Sequence, residues 1–351
     1  MSRLASAPVE GPARKRWWEA DERRDAVLRR WLLVAALVTL VAMPFFTRPY
    51  WNGQFALVLV YAVAALGLNL LTGYNGQISL GHGAFFALGA YIAAVLVDRT
   101  AVPWPLTIPI AAVVAFAAGF AFGGPALRLR GLYLALVTLG LSIAAPLIIK
   151  RFGGLTGGAQ GMNVPTPDVP GWLPLAVDQF RYFVALAVAL PLFAVAWNLV
   201  RRQTGRAIVT VRDSELVAHA FGINSATVKM RVFGVSAMYA GTAGATYVFL
   251  VGYISPDDVT IMLSLAFVTA VIIGGVSTIS GALFGALFVR LVPLYASEVN
   301  DVLTGVVYGT TLIVVMYAMP GGIAGTAGTA WRRLNRLRAA PAAAREERSS
   351  A

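Results

Sequence analysis

Residues 55–71 read Phe-Ala-Leu-Val-Leu-Val-Tyr-Ala-Val-Ala-Ala-Leu-Gly-Leu-Asn-Leu-Leu, without one charged side chain. A helix needs roughly 17–25 such residues to cross a hydrocarbon core about 30 Å thick. Lipid offers backbone groups no partner, so a spanning segment must satisfy them internally, as a helix does. The pattern recurs at Trp31–Phe46, Ile78–Val97, Leu106–Gly124, Leu132–Ile149, Tyr182–Val200, Val232–Val251, Ile261–Gly275 and Val302–Met319, and no carboxylate lies inside any of these runs. The expected fold is all-α, a polytopic transmembrane helical bundle of about 8–10 spans with broken or re-entrant segments.

Composition points the same way. Only 13% of the 351 residues are charged and 58% are hydrophobic, where a soluble domain carries about 25% charge. A membrane β-barrel would alternate polar and apolar residues in segments of about ten, which these runs do not. The net charge of +12 could signal nucleic-acid binding. The basic residues sit between or outside the apolar runs, however, so the expected partner is the lipid bilayer and no nucleic acid. The chain has no cysteine, which excludes structural disulfides, thiol catalysis and Cys-ligated metal.

Cytoplasmic loops are enriched in Lys and Arg. Four segments are: the tail 1–30, Arg128 with Arg130, the loop 201–231, and the tail 320–351. Placing all four inside gives a multi-pass protein of a bacterial inner membrane with both termini cytoplasmic and a permease domain over 31–319. Trp31–Phe46 ends in Met43-Pro44-Phe45-Phe46 and passes into Thr47-Arg48 rather than a small-x-small cleavage site, so it is expected to stay as an anchor. Ile261–Gly275 and Ala282–Leu294 are short enough to form a re-entrant pair. Lys150 and Arg151 fall outside, against the trend, at the start of a Gly- and Pro-rich extracytoplasmic loop, 150–179.

Several chemistries are missing. None of the lysines, Lys15, Lys150 and Lys229, follows a glycine, so there is no P-loop. No serine-hydrolase elbow, zinc-protease motif or Cys/His cluster occurs, and neither a catalytic residue nor a metal site is expected. Ion-coupled carriers hold Asp, Glu or His within their spans; here His82 and Arg290 alone lie at that depth. Energy is expected from a partner protein.

Two segments carry the remaining signal. In the loop 201–231, Ala207, Val211, Ala218 and Phe221 recur at helical spacing, and Gly222 suits a left-handed cap. A short helix, a glycine break and a second helix would make a compact knob. In residues 67–83, Asn69, Gln77, Ser79 and His82 stand among glycines inside apolar sequence, the pattern of a broken helix lining a translocation path. Gly274–Gly285 repeats that style loosely.

These residues resemble a family, the permease subunits of branched-chain amino-acid ABC importers. The resemblance runs through Gly67–Tyr91, Pro125–Ser142, Leu155–Asn163, Gly205–Asn224 and Gly241–Gly285; Glu215, Ala218 and Gly222 match the Glu-x-x-Ala-x-x-x-Gly core of the loop in ABC importer permeases. It implies a non-enzymatic path for a small amino acid. It also implies a homologous second permease, two cytoplasmic ATP-binding subunits that carry ATP and Mg, and an extracytoplasmic substrate-binding protein, with no cofactor on this chain. Arg212, Glu215, Ala218 and Gly222 would couple to the ATPase, and Thr156, Gly157 and Gly158 would meet the binding protein. Relatives for urea, amides or other amino acids remain alternatives, as does a self-sufficient secondary carrier.

Overall fold

The computed structural model describes residues 31, 34–100, 102–126, 129, 131–299, 304–319, 321–326 and 329. They fall into two compact units, one ending at Arg48 and one beginning at Pro49. The first contributes an apolar helix, α1 (Val34–Phe46). Its Thr39 hydroxyl donates to the Ala35 carbonyl one turn back at 2.8 Å, which lets a polar residue sit in an apolar helix.

In the second unit α2 (Pro49–Leu68) runs into a π-helical turn, Asn69–Tyr74, followed by non-helical chain. Then come α3 (His82–Arg99), α4 (Trp104–Ala126), α5 (Leu132–Arg151), the short α6 (Gly153–Thr156) and α7 (Val177–Arg201). Two short helices, α8 (Gln203–Asp213) and α9 (Glu215–Ala220), precede the long α10 (Ser225–Val251), and α11 (Ile261–Gly274), α12 (Ile279–Val299) and α13 (Thr304–Ala318) complete the unit. Strands β1 (Met162–Asn163) and β2 (Tyr253–Ile254) pair antiparallel, Met162 opposite Ile254. Eight helices among the described residues are long and apolar enough to cross a membrane, and α1 and α11 are shorter apolar helices.

Contacts define two faces of this unit. On one, the β1–β2 pair joins the Gly-rich loop to the end of α10, Lys150 Nζ meets Asp257 Oδ1 at 2.8 Å, and Arg99 donates to the Gly154 carbonyl. On the other, α8 packs against the turn after Gly73 and the turn after Gly275. The backbone at Gly321–Gly322 packs there too, so tightly that a Cβ on Gly322 would overlap Gly275. These are called the strand face and the knob face.

Helix α11 leaves the strand face after Asp258 and reaches the knob face at Gly275, so it links the two faces instead of turning back. At 14 residues it spans only about 21 Å; the 3-10 turn Pro256–Val259 precedes it and the turn at 275–278 follows it. Its partner is longer than the apolar run Ala282–Leu294 suggested, because α12 starts at Ile279 and carries Pro293 within it. The excess Lys150 charge on the strand face is met by Asp257, a residue too distant in sequence to be paired by reading.

The interior is built from α2, α3 and α10; the buried faces of α3 and α10 are mostly Gly, Ala, Ser and Thr, and that of α2 mixes Ala with Val and Leu. Lipid tails are as apolar as side chains, so helices gain little by hiding leucine and associate instead through close backbone packing. Gly89 lies against the Gly241 backbone and Gly244 against the Phe86 carbonyl, distances at which no Cβ fits. Helices α5, α7 and α13 lie outside this core with much of their apolar surface open.

Candidate functional site

The helix that should continue through residues 69–83 is broken. After Tyr74 the chain is non-helical until α3 begins at His82, so the helical run starts later than the apolar segment Ile78–Val97 implied. His82 sits well inside the bundle. Its Nε2 is 2.6 Å from Ser236 Oγ, and Ser236 lies about 16 Å along α10 from Ser225 at 1.5 Å per residue. Non-helical backbone at that depth needs partners within the protein, and side chains from two other helices, α5 and α11, provide them.

Leu80 N–H donates to Thr138 Oγ1 at 2.9 Å, and Ser142 Oγ donates to the Leu80 carbonyl at 2.8 Å. Ser142 has then used its proton, so in its 2.8 Å contact with Ser264 it is the acceptor. Ser264 in turn accepts from Gly83 N–H at 2.8 Å. The result is a directed chain, Gly83 to Ser264 to Ser142 to Leu80, with every hydroxyl used once as donor and once as acceptor. Ser236 likewise donates to the Gly67 carbonyl at 2.6 Å. In the neutral ring His82 Nε2 must therefore carry the proton, and Nδ1, which has no partner, is bare. Ser79 is buried and its Oγ accepts from Gly81 N–H at 3.3 Å.

Asn69 is held at both ends of its amide. Its Nδ2 donates to the Thr278 carbonyl at 2.7 Å, and its Oδ1 accepts from Ser277 N–H at 2.9 Å. Ser277, held at φ 61°, donates through Oγ to the Gly73 carbonyl at 2.7 Å. The two glycine-rich segments that echo one another in sequence are thus bolted together in space. Gln77, half-buried, lies beside this junction, and Thr72 Oγ1 donates to its carbonyl at 3.0 Å.

The knob grips the same junction. Arg212 Nη1 donates to the Gly73 carbonyl at 3.1 Å and to Ser277 Oγ at 3.3 Å, while Nε pairs with Asp213 at 2.9 Å. Glu215 Oε1 and Lys229 Nζ are 2.6 Å apart, tying α9 to the first turns of α10. The expected continuous helix through Ala207 and Phe221 is two helices. Ser214 is extended (φ −161°) and its Oγ caps α9 by accepting from Val217 N–H at 3.3 Å, because serine bonds a helix terminus better than it fits a helix interior. Gly222 takes the left-handed cap (φ 72°) as expected. Ala218 is fully buried, whereas Leu216 and Phe221 are 82% and 77% exposed. Sequence reading named Ala218, which is buried, and Phe221, which it placed on the helical stripe, and missed Leu216 and Val217 of the apolar tip.

On the strand face Thr156 Oγ1 donates to the Ile149 carbonyl at 2.7 Å and accepts from Gly158 N–H at 3.3 Å. Gly157 and Gly158 adopt φ 71° and 61°. Gly157 is exposed and Gly158 buried, with Phe152, Leu155 and Trp172 exposed nearby in the loop. Among the described residues no group of three or more His, Cys, Asp or Glu could hold a metal ion.

Residues 53–316 match the family described as branched-chain amino acid transport system / permease component. The chain is 31% identical to the high-affinity branched-chain amino acid transport system permease protein LivM of Escherichia coli K12, over 85% of this chain and 76% of that protein. It is 25% identical to LivH of the same organism, covering 80% of this chain and 96% of LivH, and 25% identical to BraD of Pseudomonas aeruginosa, covering 76% and 91%. No solved structure matches.

Proposed function

This chain belongs to the family of branched-chain amino acid transport system permease components, and from that membership we propose that it forms part of the membrane path of an ABC importer for branched-chain amino acids. Its partners in this reading are a homologous second permease, two cytoplasmic ATP-binding subunits and an extracytoplasmic substrate-binding protein. ATP and Mg belong to the ATPases, and this chain makes or breaks no covalent bond. The likeness to both LivM and LivH supports pairing with a second permease.

The observation that carries the mechanism is the Arg212 junction. Exposed Leu216, Val217 and Phe221 give the knob an apolar tip, a surface that an ATPase groove would cover. Inside the knob, Glu215–Lys229 fixes α9 to α10, and Arg212 reaches the broken segment at Gly73 and the turn at Ser277. A push on the tip therefore arrives at both interrupted segments at once. Those segments are also the ones whose hydrogen bonds come from side chains and can be exchanged without unwinding a helix.

Orientation follows from charge. The knob face carries Arg201, Arg202, Arg206, Arg212, Lys229 and Arg231, a basic excess that supports a cytoplasmic placement. Gly321 and Gly322 lie on the same face; most of the tail 320–351, like the tail 1–30, lies outside the described residues. The loop at Thr156, Gly157 and Gly158 then faces the binding protein, with Phe152 and Trp172 as added contacts. Open apolar faces such as Leu136, Ile143 and Leu147 of α5 meet lipid or the second permease.

The test is the double substitution Leu216→Asp with Phe221→Asp. Both sites are exposed, so folding should be unaffected, while co-purification of the ATPase and ATP-driven uptake of leucine by the reconstituted importer should both be lost. Full retention of the ATPase and of uptake would remove the coupling role. Accumulation of leucine by vesicles holding this chain alone would favour a self-sufficient carrier instead.

A further inference from the structure

A cleft of about 170 Å³ opens on the knob face between the broken segment, the start of α5 and the knob. That is the room of several water molecules, each occupying about 30 Å³ in the liquid. Asn75 lines it with 3% of its surface exposed, and neither its Nδ2 nor its Oδ1 has a hydrogen-bond partner. Both atoms of a buried amide left unmatched are uncommon in a folded protein, where such groups find partners. The knob's other polar groups nearby are engaged, Arg212 with Gly73 and Ser277 and Lys229 with Glu215.

The remaining lining has a distinct chemistry. Glu215 and Lys229 set one charge of each sign side by side, and Leu129, Leu134 and Val211 supply apolar wall. Asn75 offers a donor and an acceptor. A ligand that matches carries a carboxylate and an ammonium on adjacent positions together with a short branched hydrocarbon. We propose that this cleft binds a small aliphatic α-amino acid in its zwitterionic form, on the face where the transported product emerges. The carboxylate accepts from Asn75 Nδ2 and Lys229, the ammonium donates to Glu215 and Asn75 Oδ1, and the side chain packs on Leu129, Leu134 and Val211.

This deepens the proposed function and rests on it. The cleft lies where the knob meets the broken segment, so an occupant touches both and holds them in the arrangement seen here. Product accumulating in the cytoplasm would then slow the motion that delivers more of it, a feedback device independent of the extracytoplasmic binding protein.

Calorimetric titration of the purified full-length chain in detergent tests the site, with L-leucine as probe. Two comparison compounds each lack one charge: 3-methylbutylamine has no carboxylate and 4-methylpentanoate no ammonium. Saturable binding of leucine and of neither comparison compound is expected. Asn75→Ala should weaken it at least about tenfold. Leu129→Trp, which fills the cleft from its half-buried wall and leaves Asn75 in place, should do the same, so a folding defect in one variant does not decide the matter. Absence of saturable binding up to about 10 mM leucine, or equal affinity in the parent and both variants, overturns the assignment. If the assembled importer still takes up leucine in that case, the transport reading stands without the cleft. If the importer takes up no branched-chain amino acid, the transport reading falls and the product site falls with it.

Discussion

At the scale of single residues, the polar side chains inside this bundle mostly hold backbone. Asn69 is the clearest example, since its amide is used at both ends by residues 277 and 278. Replacing it with alanine orphans one N–H and one C=O that are part-buried, a loss of up to about 1–3 kcal/mol per group by soluble-protein experience. Interhelical hydrogen bonds in membranes are worth less, about 0.6 kcal/mol on average, because the unfolded chain in lipid also finds partners. Asn69→Ala should therefore destabilise by about 1–2 kcal/mol, read as a shift in SDS-induced unfolding of the solubilised chain. No change would mean that the 277–278 backbone finds water or another partner. Asn69 was legible as an unusual polar residue in an apolar run. That it reaches a segment more than two hundred positions away was not, because a side chain's partner is set by packing and leaves no mark on its neighbours in sequence.

At the scale of elements, small-residue composition separates α10 from the outer helices. Helix α10 is rich in Gly, Ala, Ser and Thr and is buried, whereas α5 and α13, richer in Leu, Val and Ile, show much of their surface. The reason is that close approach, not hydrophobicity, selects the centre of a bundle in lipid. Gly244→Ala places a methyl on the Phe86 carbonyl. Forcing even a methylene into a packed core costs about 1–3 kcal/mol, and backbone cannot yield as a side chain can. A marked loss of monodisperse protein in size-exclusion chromatography is expected. Gly140→Ala in α5, with nothing within 4 Å of the added Cβ, should be neutral or gain up to about 1 kcal/mol from helix propensity. Equal behaviour of the two variants would contradict the packing argument. The knob shows the limit of periodic reading: a helical stripe predicts one helix through Phe221, and the single Ser214 cap divides it.

At the scale of the whole molecule, two faces separate the chain's contacts, and the absence of cysteine makes their sidedness directly measurable. Gln160→Cys, on the exposed strand-face loop, should react with a membrane-impermeant maleimide in intact cells. Leu216→Cys on the knob should react only after the membrane is opened. Labelling of both sites in intact cells, or the reverse order, would overturn the orientation. Apolar run length and missing carboxylates by themselves determined an all-helical membrane protein, because lipid admits only helices and closed barrels, keeps most charges out, and these unbroken runs lack the alternation of barrel strands. Tertiary structure alone decided how the interrupted segments survive at depth, through Thr138, Ser142, Ser264 and Ser277. It also decided that Arg212 is the side chain by which the knob holds them. Hydrogen bonds of that kind join groups brought near one another only when helices distant in sequence pack.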